Sequence, residues 1–255
     1  MIDRQRISVV VPFFNSENHL AACIDSLLAQ DDLRNDDEII LIDNGSQDSS
    51  PSIVERYPRP IVLDEPTPGA YAARNTGIRR ATAPLIAFTD ADCVTDADWL
   101  RSIRTGMEDP DIAILLGHCR YPEDASPILK LLGAYENAKA EYVINRCAPS
   151  QHFGYANNMA VRTSVFDELG PFREWRRAAD SELIHRTTAR RADLRVGYNP
   201  SMKITHLEFV SARKRLRRMS LYSRTNSQID GFRELGVGQR VGVLMQLVSG
   251  RRTTT

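Results

Sequence analysis

Two hydrophobic patterns alternate along the first half of the chain. Short apolar runs rich in β-branched residues predict strands at 7–11, 38–42, 61–63, 85–88 and 112–116. Apolar residues at helical spacing predict helices at 20–28, 48–56, 70–81 and 96–107. Strands that alternate with helices form parallel sheets covered on both faces. The pattern therefore predicts an α/β fold with functional residues at the carboxyl ends of its strands.

The second half has a different pattern. A long amphipathic helix is predicted at 127–144 and a shorter helix at 180–190. The apolar stretches at 159–161, 194–196 and 202–205 are short, and the last two are predicted as strands. From Arg213 onward the pattern is helical and strongly basic. No hard domain boundary is predicted, only a change of character near residue 120.

Charge is unevenly distributed although the formal net charge is zero. Residues 1–127 hold 11 Lys and Arg against 22 Asp and Glu, and residues 128–255 hold the reverse. An acidic half suits a metal site, and a basic half suits an anionic acceptor or a membrane surface. The alternative is that two solvated faces simply differ.

The remaining bulk features predict a globular cytoplasmic protein. Hydrophobic residues make up 42% of the chain and charged residues 26%, which is an ordinary globular composition. No signal peptide is visible, and no apolar run approaches the roughly 20 residues of a membrane-spanning helix. The cysteines have no C-x-x-C or zinc-type spacing, which favours reduced thiols: Cys23, Cys93, Cys119 and Cys147.

Two carboxylates, Asp90 and Asp92, directly follow the apolar run 85–88. Alternate residues of an extended chain point to the same side, so both side chains can face one cation. Mg²⁺ and Mn²⁺ prefer oxygen ligands and often bind substrate phosphates as well. The pair therefore predicts a metal-bridged diphosphate. The alternative is a strand end followed by a helix N-cap, where Asp is common.

An ordered set of motifs carries a family resemblance over residues 7 to 206. The motifs are Pro-Phe-Phe-Asn-x-Glu at 12–17, Asp-Asn-Gly-Ser-x-Asp at 43–48, Gly-x5-Asn-x-Gly at 69–77, Thr-Asp-Ala-Asp at 89–92, Gly-Tyr-Ala-Asn-Asn-Met at 154–159, Phe-x-x-Leu-Gly-x-Phe at 166–172 and Asp-x-Glu-Leu-x-x-Arg at 180–186. In order and spacing they resemble family 2 glycosyltransferases. Although each motif is weak alone, the ordered set is specific.

The resemblance implies a GT-A fold, which is a Rossmann-like, mostly parallel sheet flanked by helices. It implies a nucleotide-sugar-binding half at 1–120, an acceptor-binding and catalytic half of the same domain at 121–208, and a basic helical extension at 209–255. It also implies inverting transfer of a sugar from a nucleotide diphosphate. The absence of a Gly-x-Gly-x-x-Gly fingerprint agrees with this, because the family does not hold its nucleotide through such a loop.

The same resemblance implies a nucleoside pocket. The family's Asp at position 43 reads the uracil of UDP-sugars, and the alternative for Asp43 is an Asx-turn. Pro12, Phe13 and Asn15 would line the base and ribose, mostly through backbone atoms. Glu17 either contacts the nucleoside or is an acid in the first turn of a helix.

Further donor contacts are predicted from the other motifs. Arg74 would touch the base, phosphate or sugar, and Asp90 the ribose or donor sugar. Gly45 and Ala91 belong to the same motifs and are included in the predicted donor site. UDP is the favoured nucleotide, with GDP and dTDP as alternatives.

The predicted chemistry rests on three residues. Asp92 would bind Mn²⁺ or Mg²⁺, with His206 as a further ligand or as a structural histidine. Asp180 would be the base that deprotonates the acceptor hydroxyl. The family usually has Glu-Asp at this point, and this chain has Ala179 before Asp180. The alternative for Asp180 is a helix N-cap.

Acceptor contacts are predicted for Asn157, Asn158 and Trp175. Arginines near Trp175 favour an anionic acceptor, such as a phosphate-linked lipid or an acidic sugar: Arg173, Arg176 and Arg177. The basic run 213–218, from Arg213 to Arg218, predicts either peripheral membrane contact or a solvated helix. Nucleic-acid binding is not predicted, because no groove-reading module accompanies this run.

Two other classes compete with the transferase interpretation. The Asp-x-Asp sequence also resembles an aspartyl-nucleophile phosphatase signature, but that signature normally follows a domain's first strand, and three strands precede it here. A catalytically silent nucleotide-sugar-binding or scaffold protein is the second alternative, and Ala179 is the feature in its favour. The sequence leaves the donor sugar, acceptor, linkage and oligomeric state open.

Overall fold

The computed structural model describes residues 5–208, 216–217, 220–221 and 224–249. The strands are β1 (Ile7–Phe13), β2 (Glu38–Asp43), β3 (Ile61–Asp64), β4 (Leu85–Thr89), β5 (Cys93–Thr95), β6 (Ile112–Arg120), β7 (Asn158–Arg162) and β8 (Arg195–His206). The helices are α1 (Leu20–Leu28), α2 (Ser50–Val54), α3 (Ala70–Arg80), α4 (Trp99–Gly106), α5 (Pro127–Arg146), α6 (Thr163–Leu169), α7 (Ala179–Arg190) and α8 (Val237–Ser249), with a 3₁₀ turn at Pro149–Gln151.

The first half forms the predicted parallel arrangement. Strand β1 lies between β2 and β4, and β3 pairs with β2, all in parallel. Helices α1 and α4 pack on one face of the sheet and α3 on the other. Helix α3 approaches β1 so closely that a side chain at Gly77 would clash with Val10. The register between β1 and β2 places the ends of these strands side by side, with Phe13 opposite Asp43.

The second half supplies the antiparallel part of the sheet. Strand β7 pairs antiparallel with both β4 and β6, and β5 pairs antiparallel with β8, so the sheet is mostly parallel, as the resemblance implied. Strand β5 was not predicted, because three residues are too few to show a periodic pattern. The strand forms through its hydrogen bonds to β8, which is distant in the sequence. The two predicted strands 194–196 and 202–205 form the single strand β8. Its polar centre, including Pro200, is typical of a turn, and the register there shifts against β6.

The strand order requires the sheet to curl. In the order β3-β2-β1-β4-β7-β6-β8-β5, four strand spacings separate β4 from β5. In a flat sheet these spacings would amount to roughly 19 Å. The chain from Thr89 to Cys93 makes four residue steps and reaches at most about 14 Å. The turn 90–92 therefore closes a curled sheet, and the two carboxylates of the Asp-x-Asp sequence lie in this closure.

The C-terminal part of the described chain packs on α5. Helix α5 begins with Ser126, whose Oγ accepts a hydrogen bond from the Leu129 N–H, and with Pro127 in its first turn. Helix α8 runs antiparallel to α5, with Gly242 against the Tyr142 ring and Gln246 donating to Glu141 at 3.0 Å.

Most of the predicted basic helix lies outside the described residues. Only Leu216 and Arg217 of the run 213–218 are described. Among the described helices, none is long and apolar enough to cross a bilayer.

Candidate functional site

The loops that follow β1 and β2 are bound to each other by hydrogen bonds. The Asn15 side-chain oxygen accepts from the Gln47 N–H at 2.8 Å, and the Glu17 carboxylate accepts from the Ser49 N–H at 3.1 Å. The Glu17 N–H in turn donates to Asp48 at 3.0 Å. Asn15 has a φ of 47°, a left-handed conformation that Asn tolerates.

These contacts change the interpretation of two predicted donor residues. Glu17 lies before α1 rather than in its first turn, and its carboxylate binds the backbone at the start of α2. Both Asn15 and Glu17 therefore hold the loops in place through their side chains. Backbone atoms of Pro12 and Phe13, which are buried in β1, stay the predicted nucleoside contacts.

Asp43 forms the Asx-turn that the sequence offered as one alternative, and its nucleoside role stays a prediction. It ends β2, is 8% exposed, and accepts a hydrogen bond from the Ser46 N–H through Oδ1 at 2.8 Å. This Asx-turn leads through Gly45, whose φ of 85° is left-handed. Within the described chain the Oδ2 atom accepts no hydrogen bond, so one carboxylate oxygen is left for a ligand N–H.

Arg74 and Asp90 form a partly buried ion pair. The guanidinium of Arg74 also lies 5.3 Å from the centre of the Tyr71 ring. Burial opposes the charge of Arg74, but Asp90, Tyr71 and Asp180 outweigh it and raise its pKa. Arg74 Nε is buried and has no hydrogen-bond partner among the described residues. A cation fixed here, with a donor to spare, can bind a phosphate or sugar oxygen.

Asp92, Cys93 and His206 offer donor atoms within 4.8 Å of one another. Strand pairing brings them together, because Cys93 lies opposite His206 in the β5–β8 ladder. Asp92 Oδ2 is 3.5 Å from His206 Nε2. Burial raises the pKa of Asp92; His206 opposes this shift, whereas Asp90 and Glu208 add to it. A cation bound to Asp92 would relieve the repulsion between its carboxylate and those of Asp90 and Glu208.

The cysteine of this cluster does not fit the predicted cation. Cys93 is fully buried in the hydrophobic core, and burial raises the pKa of its thiol well above the ordinary value. The thiol therefore stays protonated, while Mn²⁺ and Mg²⁺ prefer oxygen and imidazole ligands. The donor set of Asp92 and His206 fits such a cation.

Asp180 lies in the first turn of α7 and is 4% exposed. Its Oδ2 accepts from the Ala156 N–H at 3.1 Å and its Oδ1 from the Ser181 N–H at 2.9 Å. Burial raises the pKa of Asp180, against the lowering effects of these two N–H groups and of Arg74. The N-cap alternative is wrong, because the N-cap residue is Ala178, with a left-handed φ of 63°.

One cleft of about 430 Å³ brings most of the predicted catalytic residues together. Its lining contains Arg74, Asp90, Asp92, Asn157, Asp180 and His206. The predicted nucleoside residues of β1 and β2 are not part of this lining. A buried carboxylate, an ion pair and a carboxylate–imidazole pair thus face a common space.

A family model described as glycosyl transferase family 2 matches residues 8–170, more than half of the chain. The chain belongs to glycosyltransferase family 2. A similar curated relative is glycosyltransferase AglE of Haloferax volcanii, 25% identical over 173 residues. The match covers 65% of this chain and 55% of the relative, so the chain spans about half of that protein's length.

Solved structures show the same fold. The mannosyltransferase PcManGT from Pyrobaculum calidifontis, in complex with GDP-Man and Mn²⁺, matches with a TM-score of 0.69 and 20% identity, over 96% of this chain and 70% of that one. S. aureus TarS 1-349 in complex with UDP matches with a TM-score of 0.62 and 18% identity, over 95% and 70%. The fold is the predicted GT-A fold.

The position where this family 2 chain departs from the usual Glu-Asp pair has a packing role. Ala179 is fully buried in the apolar cluster that contains Phe172 and Leu183. A carboxylate there would be desolvated among hydrophobic side chains. The small residue is therefore explained by packing, and the adjacent Asp180 keeps its place in the cleft.

Two predicted acceptor residues differ in position, because Asn158 lines the cleft and Trp175 does not. Asn158 is 3% exposed; its amide donates to the carbonyls of His118 and Met202 and its oxygen accepts from Trp99 Nε1. Its side chain joins β7 to β6, β8 and α4, and its contact with the acceptor stays a prediction. Trp175 is 44% exposed and lines a separate depression beside α7 rather than the cleft.

Several cleft residues had no predicted role. Two of them could have been found from their spacing to predicted site residues. Tyr71 precedes Arg74 by nearly one helical turn, and Glu208 follows His206 by one strand period, so each lies on the same side as its predicted neighbour. Glu136 and Tyr155, bound to each other at 3.1 Å, could not be paired from the sequence. Arg176 and Arg177, predicted to favour an anionic acceptor, do line the cleft.

Proposed function

We propose that this chain transfers a sugar from a nucleotide diphosphate, with UDP as the favoured nucleotide, to an acceptor hydroxyl with inversion of the anomeric centre. The observation that carries the proposal is the common cleft, where Asp180 and the Asp92–His206 pair face the space beside the Arg74–Asp90 ion pair. The reaction would serve the synthesis of a polysaccharide, glycolipid or other glycoconjugate.

Asp180 is the proposed base. A bond forms between the acceptor oxygen and the anomeric carbon while the bond from that carbon to the diphosphate oxygen breaks. The acceptor proton passes to the Asp180 carboxylate. The two backbone N–H bonds fix the orientation of this carboxylate, and its raised pKa makes it a better proton acceptor than an exposed Asp.

Asp92 and His206 are the proposed ligands of Mn²⁺ or Mg²⁺. The cation would supply positive charge that neutralises the departing diphosphate. The proposal is supported by the donor types, by their separation and by the repulsion among Asp90, Asp92 and Glu208 that burial intensifies. Arg74 would bind a phosphate or sugar oxygen through its unpartnered Nε.

The nucleoside is proposed to lie over the ends of β1 and β2. There Asp43 Oδ2 can accept from a base N–H, and backbone atoms of Pro12 and Phe13 line the base. Because the two loops are already bound through Asn15 and Glu17, donor binding would order little additional backbone.

The thermal stability of the protein against a panel of nucleotide diphosphates, with and without Mn²⁺, tests the donor site. A ligand that binds only the folded state raises the melting temperature. We expect a Mn²⁺-dependent increase with UDP, reduced in Asp43→Asn and unchanged in the control Asp193→Asn, which lies away from the cleft. A larger increase with GDP would reassign the nucleotide. No increase with any nucleotide would contradict the transferase and favour a protein without donor binding.

Turnover separates an enzyme from a silent binding protein of the same fold. With the nucleotide identified, release of the nucleoside diphosphate from its sugar conjugates is measured in excess Mn²⁺. Release that depends on Asp180 supports the enzyme. Tight donor binding without release from any sugar conjugate, with or without candidate acceptors, would support the scaffold alternative.

Peripheral contact with an anionic membrane surface is a second proposal for this chain. Helix α8 exposes an apolar row, and α5 exposes two further apolar side chains: Val237, Val241, Leu244, Met245, Ile128 and Leu131. The basic run 213–218 supplies the complementary charge. Co-sedimentation with phosphatidylglycerol vesicles but not with phosphatidylcholine vesicles is expected, and loss of binding in Leu244→Ser/Met245→Ser would locate it. Equal recovery in the supernatant with both vesicles would contradict the proposal.

A further inference from the structure

A second cavity of about 250 Å³ lies behind the cleft, between α5 and the segment that leads into α8. The two spaces share a wall made of Glu136, Phe153 and Tyr155. The residue after this wall is Ala156, whose N–H binds Asp180. The cavity therefore lies next to the part of the cleft that contains Asp180, with Tyr155 between the two spaces.

The lining combines aromatic rings with cations. Tyr135, Phe153, Tyr155 and Phe232 supply aromatic surface. Lys139 Nζ lies 4.6 Å from the centre of the Phe153 ring. Arg233 and Arg240 complete the positive charge, and Arg240 pairs with Glu234 at 3.4 Å.

The lining holds three cations and two carboxylates, which leaves an excess of one positive charge. Glu234 pairs with Arg240, and Glu136 accepts a hydrogen bond from Tyr155. Neither Arg233 nor Lys139 makes an ion pair within the described part of the chain. Excess positive charge beside aromatic surface is suited to a sugar that carries an anionic group, because rings stack on the sugar and cations bind the anion.

Asn226 provides an independent indication of a ligand. It lines the cavity and is 5% exposed, and its side-chain oxygen is buried without a hydrogen-bond donor among the described residues. Buried polar atoms in folded proteins are almost always hydrogen-bonded. A hydroxyl group of a bound sugar would supply the missing donor.

The cavity wall is held in place by the protein itself. The Phe232 ring packs edge-on against His185 at 5.3 Å, and the Arg233 N–H donates to the Ser150 carbonyl at 2.7 Å. Gln151 and Gln239 exchange side-chain hydrogen bonds at 2.9 Å. The space is thus formed before any ligand binds, which lowers the entropic cost of binding.

We propose that this cavity binds an anionic sugar unit of the acceptor, carrying a phosphate or a carboxylate, next to the unit that is glycosylated. The inference rests on the proposed transferase function and specifies its acceptor class. One side of the cavity is formed by residues beyond the region that the family model matches: Ser220, Asn226, Phe232, Arg233, Glu234, Leu235 and Arg240. The other side lies within the matched region.

Saturation-transfer NMR with three probes tests the proposal: glucose 6-phosphate, glucuronate and glucose. Saturating UDP and Mg²⁺ are present so that anions do not occupy the diphosphate site, and the diamagnetic Mg²⁺ leaves the probe signals sharp. We expect at least one anionic probe to bind about tenfold more tightly than glucose. Preference for the phosphate or for the carboxylate identifies the anion. Equal binding of all three probes, or no binding, overturns the proposal.

Variants locate the binding. Arg233→Gln and Lys139→Gln are each expected to weaken the anionic probe about tenfold and to leave glucose unchanged. Arg56→Gln removes the same charge from an exposed position after α2 and is the matched control. An unchanged affinity in both cavity variants overturns the proposal. The increase in melting temperature with UDP and Mn²⁺ is measured in parallel for the parent and the same variants. If UDP stabilises the protein but no probe binds, only the cavity proposal is rejected. If UDP does not stabilise the parent, the transferase function itself is rejected.

Discussion

Replacement of Asp180 by Asn tests the base most directly, because the side chain keeps its shape and loses its ability to accept a proton. A positioned general base contributes about 10²- to 10⁴-fold to a rate. At about 1.36 kcal/mol per tenfold, this equals roughly 2.7–5.4 kcal/mol of transition-state stabilisation. We therefore expect kcat for Asp180→Asn to fall at least about 100-fold, with donor affinity unchanged.

The same substitution changes the stability of the protein in two opposite ways. Asn keeps one acceptor oxygen, so one of the bonds to Ala156 and Ser181 is lost, at a cost of about 1–2 kcal/mol. Burial raises the folded-state pKa of Asp180, so its favourable contribution is present below the unfolded pKa and is lost as pH rises through the folded pKa. Above the folded-state pKa the buried ionised carboxylate is therefore destabilising, and the neutral amide removes that penalty.

These two effects have opposite signs, and we expect the difference in melting temperature between Asp180→Asn and the parent to move in favour of the variant as pH rises. Nucleotide release from the donor sugar, measured at saturating donor and Mn²⁺, gives kcat, and calorimetry gives the melting temperature. Asp193→Asn is the control. A variant that keeps more than a tenth of the parent kcat would refute the base assignment, and a large loss of stability would show that the activity was lost through unfolding.

Three further predictions concern the metal, the pH profile and the buried ion pair beneath the sheet. Asp92→Asn and His206→Gln should each remove the Mn²⁺-dependent part of UDP stabilisation in a thermal-shift assay, and full activity in excess EDTA would contradict this. The apparent pKa of the acid limb of kcat/KM against pH should lie above the ordinary pKa of Asp, because the base must be ionised and burial raises the pKa of Asp180. An acid limb with the ordinary pKa of Asp would contradict the assignment of Asp180 as the base. Asp37→Leu should cost about 3–5 kcal/mol of unfolding free energy by urea titration. It leaves the buried Arg104 with Asp32, at 3.0 Å, as its one carboxylate partner in the described chain, and it removes the acceptor of the Ile7 and Arg34 N–H groups. Asp37→Leu/Arg104→Met should recover part of the loss, and equal stability of the single and double variants would contradict the reasoning.

The first half of the fold could be predicted because its signals are local. Each parallel strand is a continuous apolar run, and each connecting helix has its own periodic pattern. The same reasoning placed Pro12, Asp43 and Asp90 at the ends of three strands, where the structure has them. The side-chain partners of Asn15 and Glu17 lie about 30 residues away, so their roles in holding the loops depend on contacts that no local pattern contains.

The second half was predicted less well for the same physical reason. Strand β5 and the full length of β8 exist because the curled sheet supplies their hydrogen bonds, and β7 joins as an antiparallel strand after a long helix. The engagement of Asn158 with β6, β8 and α4 likewise follows from tertiary packing. The charge of Arg176 and Arg177 was evident in the sequence, but that they face the cleft while Trp175 does not could not be inferred from their order.

The turn 90–92 closes the curled sheet, and this closure limits the number of residues that can separate β4 from β5. Each extra residue between β4 and β5 would either bulge out of the closure or shift β5 by one position along β8, which exchanges the two faces of the strand. A shift would turn Cys93 out of the core and break the opposition of Cys93 and His206 that sets the distance from Asp92 to the imidazole. We therefore expect insertions and deletions to be rejected in this turn and tolerated in exposed loops, so the one-residue interval between the two carboxylates is a length requirement of the sheet as well as a chemical requirement of the site.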